Sequence, residues 1–158
     1  MDKSLEIIIN FRKFLLAKIE TLTVEQLNTI PEHFSNNIIW NVAHMNAVLQ
    51  ALCYANSGLP ILVDENYFHP FLPGTKPVNV ISENKVNNIK EQFITSLSQL
   101  NKDLDLGLFR TYKKAEKIEK VYNINVETID DAIKYVTHHD GSHYHAILAL
   151  KRTIESQT

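Results

Sequence analysis

Residues 129–155, IDDAIKYVTHHDGSHYHAILALKRTIE, form a long stretch in which apolar side chains recur at the period of a helix. Thr128 and Asp131 form a variant of the capping-box pattern, which places a helix start at the beginning of this stretch. The stripe predicted to face the core contains two histidines among its apolar residues: Ala132, Val136, His139, His143, Ile147, Leu150 and Ile154. We therefore predict one helix over 129–155 with two histidines on its inward face.

Three further long amphipathic helices are predicted by the same periodicity. They cover residues 2–21, about 36–57 and about 83–102, and Ser35 and Ser82 are the candidate N-caps of the later two. Four long helices in a chain of 158 residues favour an all-α fold, a four-helix bundle in one domain that spans the whole chain. The low content of glycine and proline, 4 and 5 residues, argues against a turn-rich β sandwich.

The connections between these helices differ in length. Thr23 and Gln26 form a capping-box pattern for a short helical turn that Pro31 ends. Residues 58–81 carry most of the prolines and are predicted to form a long surface loop, which favours a crossover over a tight helical hairpin. For residues 103–126 the pattern leaves two alternatives open, a short hairpin and an irregular excursion.

The composition is that of an ordinary soluble globular protein, with 44% hydrophobic and 22% charged residues. A net charge of −2 argues against a nucleic-acid-binding surface. No run of about 18 apolar residues occurs, so the sequence predicts no membrane-spanning helix. The N-terminus does not resemble a secretory signal and Cys53 is the one cysteine, so we expect a cytoplasmic protein without disulfides.

Histidine is the unusual residue of this chain, since seven occur and four of them fall within residues 138–145. His139 and His143 are four apart, which places both imidazoles on one helix face with Cβ atoms roughly 5–6 Å apart. A single metal ion can bridge such a pair, because zinc–nitrogen bonds are about 2.0–2.1 Å long. His138 and His145 point roughly 100° and 200° away from that face, so we expect them at the surface.

His44 lies on the apolar face of the second long helix, far from this cluster in sequence. The alternative for a lone histidine in such a position is a core residue that is hydrogen-bonded to a neighbour. Three inward histidines in one small bundle favour instead a metal site built from facing helices, with His44, His139 and His143 as ligands. His33 and His69 fall in predicted loops and are expected to be exposed.

The segments IIWNVAHM at residues 38–45 and HDGSH at residues 139–143 resemble the DinB/YfiT-like superfamily of bacterial metalloproteins. The resemblance covers nearly the whole chain. It implies an up-down-down-up four-helix bundle in which His44, His139 and His143 bind one divalent metal ion, nickel or zinc, with manganese and iron as alternatives. It also implies a homodimer. Several family members are enzymes that attach a low-molecular-weight thiol, such as bacillithiol, to an electrophile, while others have no established activity.

One departure from the family pattern concerns the residues after the last ligand. Many relatives continue with Gly-Gln-Ile, whereas this chain continues with Tyr144, His145, Ala146 and Ile147. The resemblance therefore assigns no glutamine here that could contact the thiol or orient the site.

Three histidine ligands leave further coordination positions of a metal open, which is typical of catalytic rather than structural sites. Such an ion can acidify water or bind a thiolate, so the first hypothesis is a metal-dependent thiol S-transferase. The alternatives are a metal-dependent hydrolase, a non-catalytic metal-binding stress or binding protein, and a bundle without metal. The sequence assigns no general base, and Asp140 points roughly 100° away from the His139 direction.

Some residues near the predicted ligands have two alternative roles. The candidates for lining the pocket or orienting the ligands, with packing or helix capping as the alternative, are Asn37, Trp40, Asn41 and Tyr144. Cys53 lies roughly 13 Å along the helix axis from His44 and is predicted to be a small core residue rather than a nucleophile.

Overall fold

The computed structural model describes residues 3–157, and over this range it is built from helices without strands. The α-helices within the described residues are α1 Lys3–Ile19, α2 Val24–Asn28, α3 Ile38–Leu49, α4 Glu65–Phe68, α5 Glu83–Asp105, α6 Glu116–Tyr122 and α7 Ile129–Glu155. A π-helical turn, Gln50–Tyr54, and a 3₁₀ turn, Ala55–Ser57, continue α3 without a break. The all-α prediction is thereby confirmed.

Four of these helices pack together around the core. Helix α1 packs against α5 and α7, and α3 packs against the same two helices. Each of the four contributes wholly buried apolar side chains, such as Leu15, Ile39, Phe93 and Ile147. Burying one such side chain stabilises the fold by about 1.5–3 kcal/mol, so this shared core holds the four helices together. The up-down-down-up order of the helices stays a prediction.

The predicted start of α7 is confirmed by its capping box. The Thr128 hydroxyl accepts a hydrogen bond from the Asp131 N–H at 3.1 Å, and the Asp131 carboxylate accepts one from the Thr128 N–H at 3.1 Å. The helix has the predicted bounds, and so both of its inward histidines lie in the predicted register. The short α2 begins in the same way, with the predicted Thr23 and Gln26 as partners.

The start of α3 differs from the prediction. Asn37, not Ser35, is the N-cap, and its Oδ1 accepts a hydrogen bond from the Trp40 N–H at 2.8 Å. Serine and asparagine both cap helices well. Because Asn37 is the residue that caps α3, the helix begins two residues later than predicted. Ser82 does occupy the N-cap position of α5, but its side chain makes no capping hydrogen bond, and the helix extends to Asp105.

The two predicted irregular segments contain short helices. Residues 58–81 include α4 and a 3₁₀ turn, His69–Phe71, so this segment is not a loop throughout. Residues 103–126 include α6 and no strand, so the hairpin alternative is wrong and the excursion is confirmed. Helix α1 ends at Ile19, two residues earlier than predicted, and residue 2 lies outside the described residues.

The outward face of α1 carries an exposed apolar stripe. Its members Ile7, Phe11 and Phe14 are 39%, 48% and 50% exposed. The ring of Tyr144 from α7 meets the Phe11 ring edge-on, with centroids 5.6 Å apart. This stripe is no membrane span, since no helix in residues 3–157 is long and apolar enough to cross a membrane.

Candidate metal centre

Three histidines from two helices meet where α3 packs against α7. His44 comes from α3, and His139 and His143 come from successive turns of α7. One nitrogen of each ring lies within 4.8 Å of the others, and Nε2 of His44 is 3.2 Å from Nε2 of His139. Two nitrogens bound to one zinc ion in a tetrahedron lie about 3.3 Å apart, given bonds of about 2.0–2.1 Å. The spacing of this pair therefore fits two ligands of one ion.

The outer nitrogens of two rings are held by oxygen acceptors. His44 Nδ1 donates to the backbone carbonyl of Phe71 at 2.6 Å, and His143 Nδ1 donates to Oδ1 of Asn41 at 2.8 Å. The Asn41 amide is itself oriented, because its Nδ2 donates to the carbonyl of Asn37 at 2.7 Å. With Nδ1 protonated, Nε2 of each ring keeps its lone pair, which is the form that binds a metal. The donor set therefore fits a divalent metal ion.

His139 has different surroundings from the other two candidate ligands. Its Nδ1 is buried and has no hydrogen-bond partner among the described residues. Oδ1 of Asp140 lies 3.7 Å from this nitrogen, which is too long for a hydrogen bond but close enough for electrostatic attraction. Asp140 is 3% exposed. From its angle on the helix, the sequence predicts that Asp140 points away from the His139 direction. In the structure, however, its carboxylate lies beside this candidate ligand.

Asp140 is paired with Arg12, a fully buried residue of α1. Arg12 Nε donates to Oδ2 of Asp140 at 2.7 Å. Its terminal nitrogens donate to the backbone carbonyls of Met45, at 3.0 Å, and Phe93, at 3.2 Å. One guanidinium therefore joins α1, α3, α5 and α7. Arg12 was not predicted as a site residue, although its position four residues after Ile8, on the inward stripe of α1, is a signal that could have identified it.

Burial keeps two of the candidate ligands, His44 and His143, neutral. It lowers the pKa of His44 to about 4. Burial, followed by repulsion from His139 and His44, lowers the pKa of His143 to about 3. Burial by itself raises the pKa of Asp140, but attraction to Arg12 and His139 outweighs it and holds that pKa below its ordinary range. At neutral pH the site therefore combines the neutral imidazoles of His44 and His143 with the ionised carboxylate of Asp140.

Two of the four residues with alternative predicted roles contact a candidate ligand. Asn41 accepts the hydrogen bond described above, and the Trp40 ring stacks on the His44 ring with centroids 4.7 Å apart. Of the other two, Asn37 caps α3 and Tyr144 packs against α1. The sequence therefore named two residues whose side chains contact a candidate ligand, but could not separate them from the two whose side chains have other partners.

The remaining histidines and the cysteine lie outside this centre. The exposed histidines, all expected at the surface, are His33, His69, His138 and His145. Cys53 is fully buried in an apolar cluster, and burial raises the pKa of its thiol to about 12. It is therefore a core residue without a reactive thiolate at neutral pH, as predicted.

The candidate centre is partly open to solvent. His44 is buried, but His139 and His143 are only partly buried, and 14% of the His139 side chain is exposed. The two histidines of α7 are therefore the candidate ligands that are most exposed to solvent. Partial exposure of this kind is expected of a catalytic site rather than of a closed structural one.

We expect the metal-free protein to lose stability as the pH falls from about 6.5 to about 5. In the unfolded chain His44 and His143 titrate near pH 6.5. Their pKa values are lowered in the folded chain, so the unfolded state binds more protons in this range and the free energy of unfolding decreases. Each histidine should contribute about 2 kcal/mol to the loss.

Urea denaturation of chelator-treated protein at several pH values measures this effect. His143→Gln should lose less stability over the same range, because one of the two titrating groups is absent. His145→Gln, which changes an exposed histidine on the same helix, should behave as the wild type. An unfolding midpoint that stays constant through this range would contradict the prediction.

The fold and the site define a class of protein, in which packed helices direct three histidines toward one point to form a candidate centre for a single metal ion. The family model of the DinB superfamily matches residues 10–147. That range covers most of the chain and includes all three histidines, so the protein belongs to the DinB superfamily, as its sequence resemblance indicated. No curated protein sequence matches the chain.

Proposed function

We propose that the protein is a metal-dependent enzyme that transfers a low-molecular-weight thiol to an electrophile, with one divalent ion bound by His44, His139 and His143. The observation that carries this proposal is the convergence of three imidazole rings, each with an oxygen on its outer side. Membership of the DinB superfamily supports the metal site. Nickel and zinc suit three neutral imidazoles, and manganese and iron are the alternatives.

The sulfur nucleophile of this reaction has to come from a substrate. The chain has one cysteine, Cys53, and burial keeps its thiol protonated. A bacillithiol-type thiol is the proposed donor. A divalent ion at the three histidines supplies positive charge that favours the ionised form of such a thiol, which is the reactive form.

The proposed reaction is a substitution at an electrophilic carbon. The substrate thiol loses its proton to solvent, its sulfur forms a bond to the carbon, and the leaving group departs with the electrons of the broken bond. The protein's own residues keep the site ready for this step. The Phe71 carbonyl and the Asn41 amide orient two of the imidazoles, and burial keeps those imidazoles neutral.

The partial exposure of His139 and His143 favours an enzyme over a protein with a sealed structural metal. The same centre could serve a hydrolase, in which water replaces the thiol. A non-catalytic metal-binding stress or binding protein is the further alternative. The products formed from one electrophile separate these three functions.

We also propose that the protein acts in the cytoplasm as a homodimer. The chain's one cysteine is buried and makes no disulfide, which suits a reducing compartment. The apolar stripe of Ile7, Phe11 and Phe14 on α1 supports a contact between copies, because exposed apolar surface of this kind is commonly covered by a partner.

Incubation of the metal-loaded protein with bacillithiol and a chlorinated aromatic electrophile should produce the thiol adduct, detected by mass spectrometry. Chelation of the metal and His44→Ala should both reduce adduct formation to the uncatalysed rate. Cys53→Ala should retain the activity, because its thiol takes no part in the reaction.

The products also decide between the alternatives. Hydrolysed electrophile without adduct would favour the hydrolase. Absence of any metal-dependent product from a protein that does bind metal would contradict the proposed catalysis and favour the non-catalytic protein.

A further inference from the structure

We infer that Arg12 and Asp140 are positioning residues that select the metal-binding tautomer of His139. The inference rests on the proposed metal site and deepens it, because it names the groups that set the affinity of the site for its ion. Arg12 comes from α1 and Asp140 directly follows His139 on α7. Both are buried, and both act through His139 rather than on a substrate.

His139 has two places for its single proton in the neutral form. With the proton on Nε2, the ring can donate a hydrogen bond to Nε2 of His44, which is 3.2 Å away. The two nitrogens that the metal needs are then hydrogen-bonded to each other. With the proton on Nδ1, the N–H faces Oδ1 of Asp140, 3.7 Å away, and Nε2 keeps its lone pair. The affinity for a metal therefore depends on which tautomer is favoured.

The Asp140 carboxylate favours the metal-binding tautomer. Its negative charge attracts the Nδ1–H group of His139, and the attraction is stronger in buried surroundings than in water. The other two rings have neutral acceptors, a carbonyl and an amide, at ordinary hydrogen-bond distances. Of the three candidate ligands, His139 is the one whose outer nitrogen faces a charged group.

Arg12 holds that carboxylate in place. A buried carboxylate without a partner would turn toward water. Arg12 donates to Oδ2 at 2.7 Å through Nε, and to Oδ1 at 3.4 Å through Nη2. Oδ1 is also the oxygen that faces His139. Since Arg12 is held in turn by the carbonyls of Met45 and Phe93, the carboxylate has a fixed position beside the ring.

Asp140→Asn tests the inference, because it removes the charge and nearly keeps the shape. We expect zinc binding to weaken by about 10- to 100-fold, measured by competition with a chromophoric chelator. In the metal-free variant we expect His139 to shift toward the tautomer with the proton on Nε2, read from the imidazole signals in nitrogen NMR. A residue that serves stability alone would not shift that equilibrium.

Asp103→Asn is the matched control. Asp103 is 6% exposed and accepts hydrogen bonds from Tyr54 at 2.6 Å and Gln99 at 2.8 Å, so it is also a buried carboxylate with partners. Its replacement should lower stability and leave both zinc affinity and the His139 tautomer unchanged. If Asp140→Asn does not fold, Arg12→Met combined with Asp140→Leu takes its place, because removal of both charges together is commonly tolerated.

A folded Asp140 variant with the wild-type zinc affinity and the wild-type His139 tautomer would overturn the inference. Failure of the wild type to bind zinc would contradict the proposed metal site instead. The tautomer measurement on the metal-free protein still decides the inference in that case, so the two failures are distinguishable.

Discussion

Replacing His44 with alanine should abolish the binding of one metal ion per chain and leave the helical fold in place. His44 is the candidate ligand that α3 contributes, and the two that remain are neighbours on α7. Two imidazoles from one helix hold a divalent ion far less tightly than three that converge. Loss of a residue that orients a ligand commonly weakens metal binding by up to about 100-fold. Since His44 is a candidate ligand itself, we expect the affinity for the metal to fall by more than that.

Metal analysis of the purified protein measures this effect, and circular dichroism reports whether the helices remain. His145→Ala is the control, since this exposed histidine lies two residues after the last candidate ligand on the same helix. It should retain the full metal content. Negligible metal in both the wild type and His44→Ala would refute the metal site, whereas full metal in both would place the ligands elsewhere.

Arg12→Ala should cost about 3–5 kcal/mol of the free energy of unfolding, because it leaves the buried charge of Asp140 without its partner. The substitution also removes the hydrogen bonds to the Met45 and Phe93 carbonyls. Four helices lose their common contact at once. For a domain of ordinary stability, about 5–15 kcal/mol, a loss of this size brings the protein close to unfolding at room temperature.

Urea denaturation of the metal-free protein at neutral pH measures the loss. Arg152→Ala, which truncates an exposed arginine on α7, is the control and should change stability by less than about 0.5 kcal/mol. Arg12→Met combined with Asp140→Leu should recover most of the loss, because no unpaired charge then remains in the core. A cost below about 1 kcal/mol for Arg12→Ala would contradict the assigned role of the ion pair.

The start of a helix could be predicted where the sequence offers a single local capping pattern. Thr128 and Asp131 form such a pattern, and α7 begins where they predict. At α3, three good capping residues, Ser35, Asn36 and Asn37, follow one another, and Ser35, the one predicted, is wrong. The choice depends on a distant contact, since Nδ2 of Asn37 donates to the carbonyl of Asn28 in α2 at 2.9 Å.

The segment 103–126 could not be predicted for a related reason. Its backbone is held by partners outside it. The Lys113 N–H, for example, donates to the Asn56 carbonyl at 2.6 Å. Local periodicity carries no information about bonds of this kind, so two alternatives stayed open until the structure excluded the hairpin.

The sequence by itself determined the three candidate ligands, His44, His139 and His143. Helical periodicity places residues four apart on one face, and apolar neighbours turn that face inward, so both facts are local. Only the tertiary structure decided what lies behind the ligands. Asp140 points away from the His139 direction on its own helix, and it becomes part of the centre because α1 packs against α7 and brings Arg12 to its carboxylate. A buried charge requires a partner, and that partner is known only when the helices are packed.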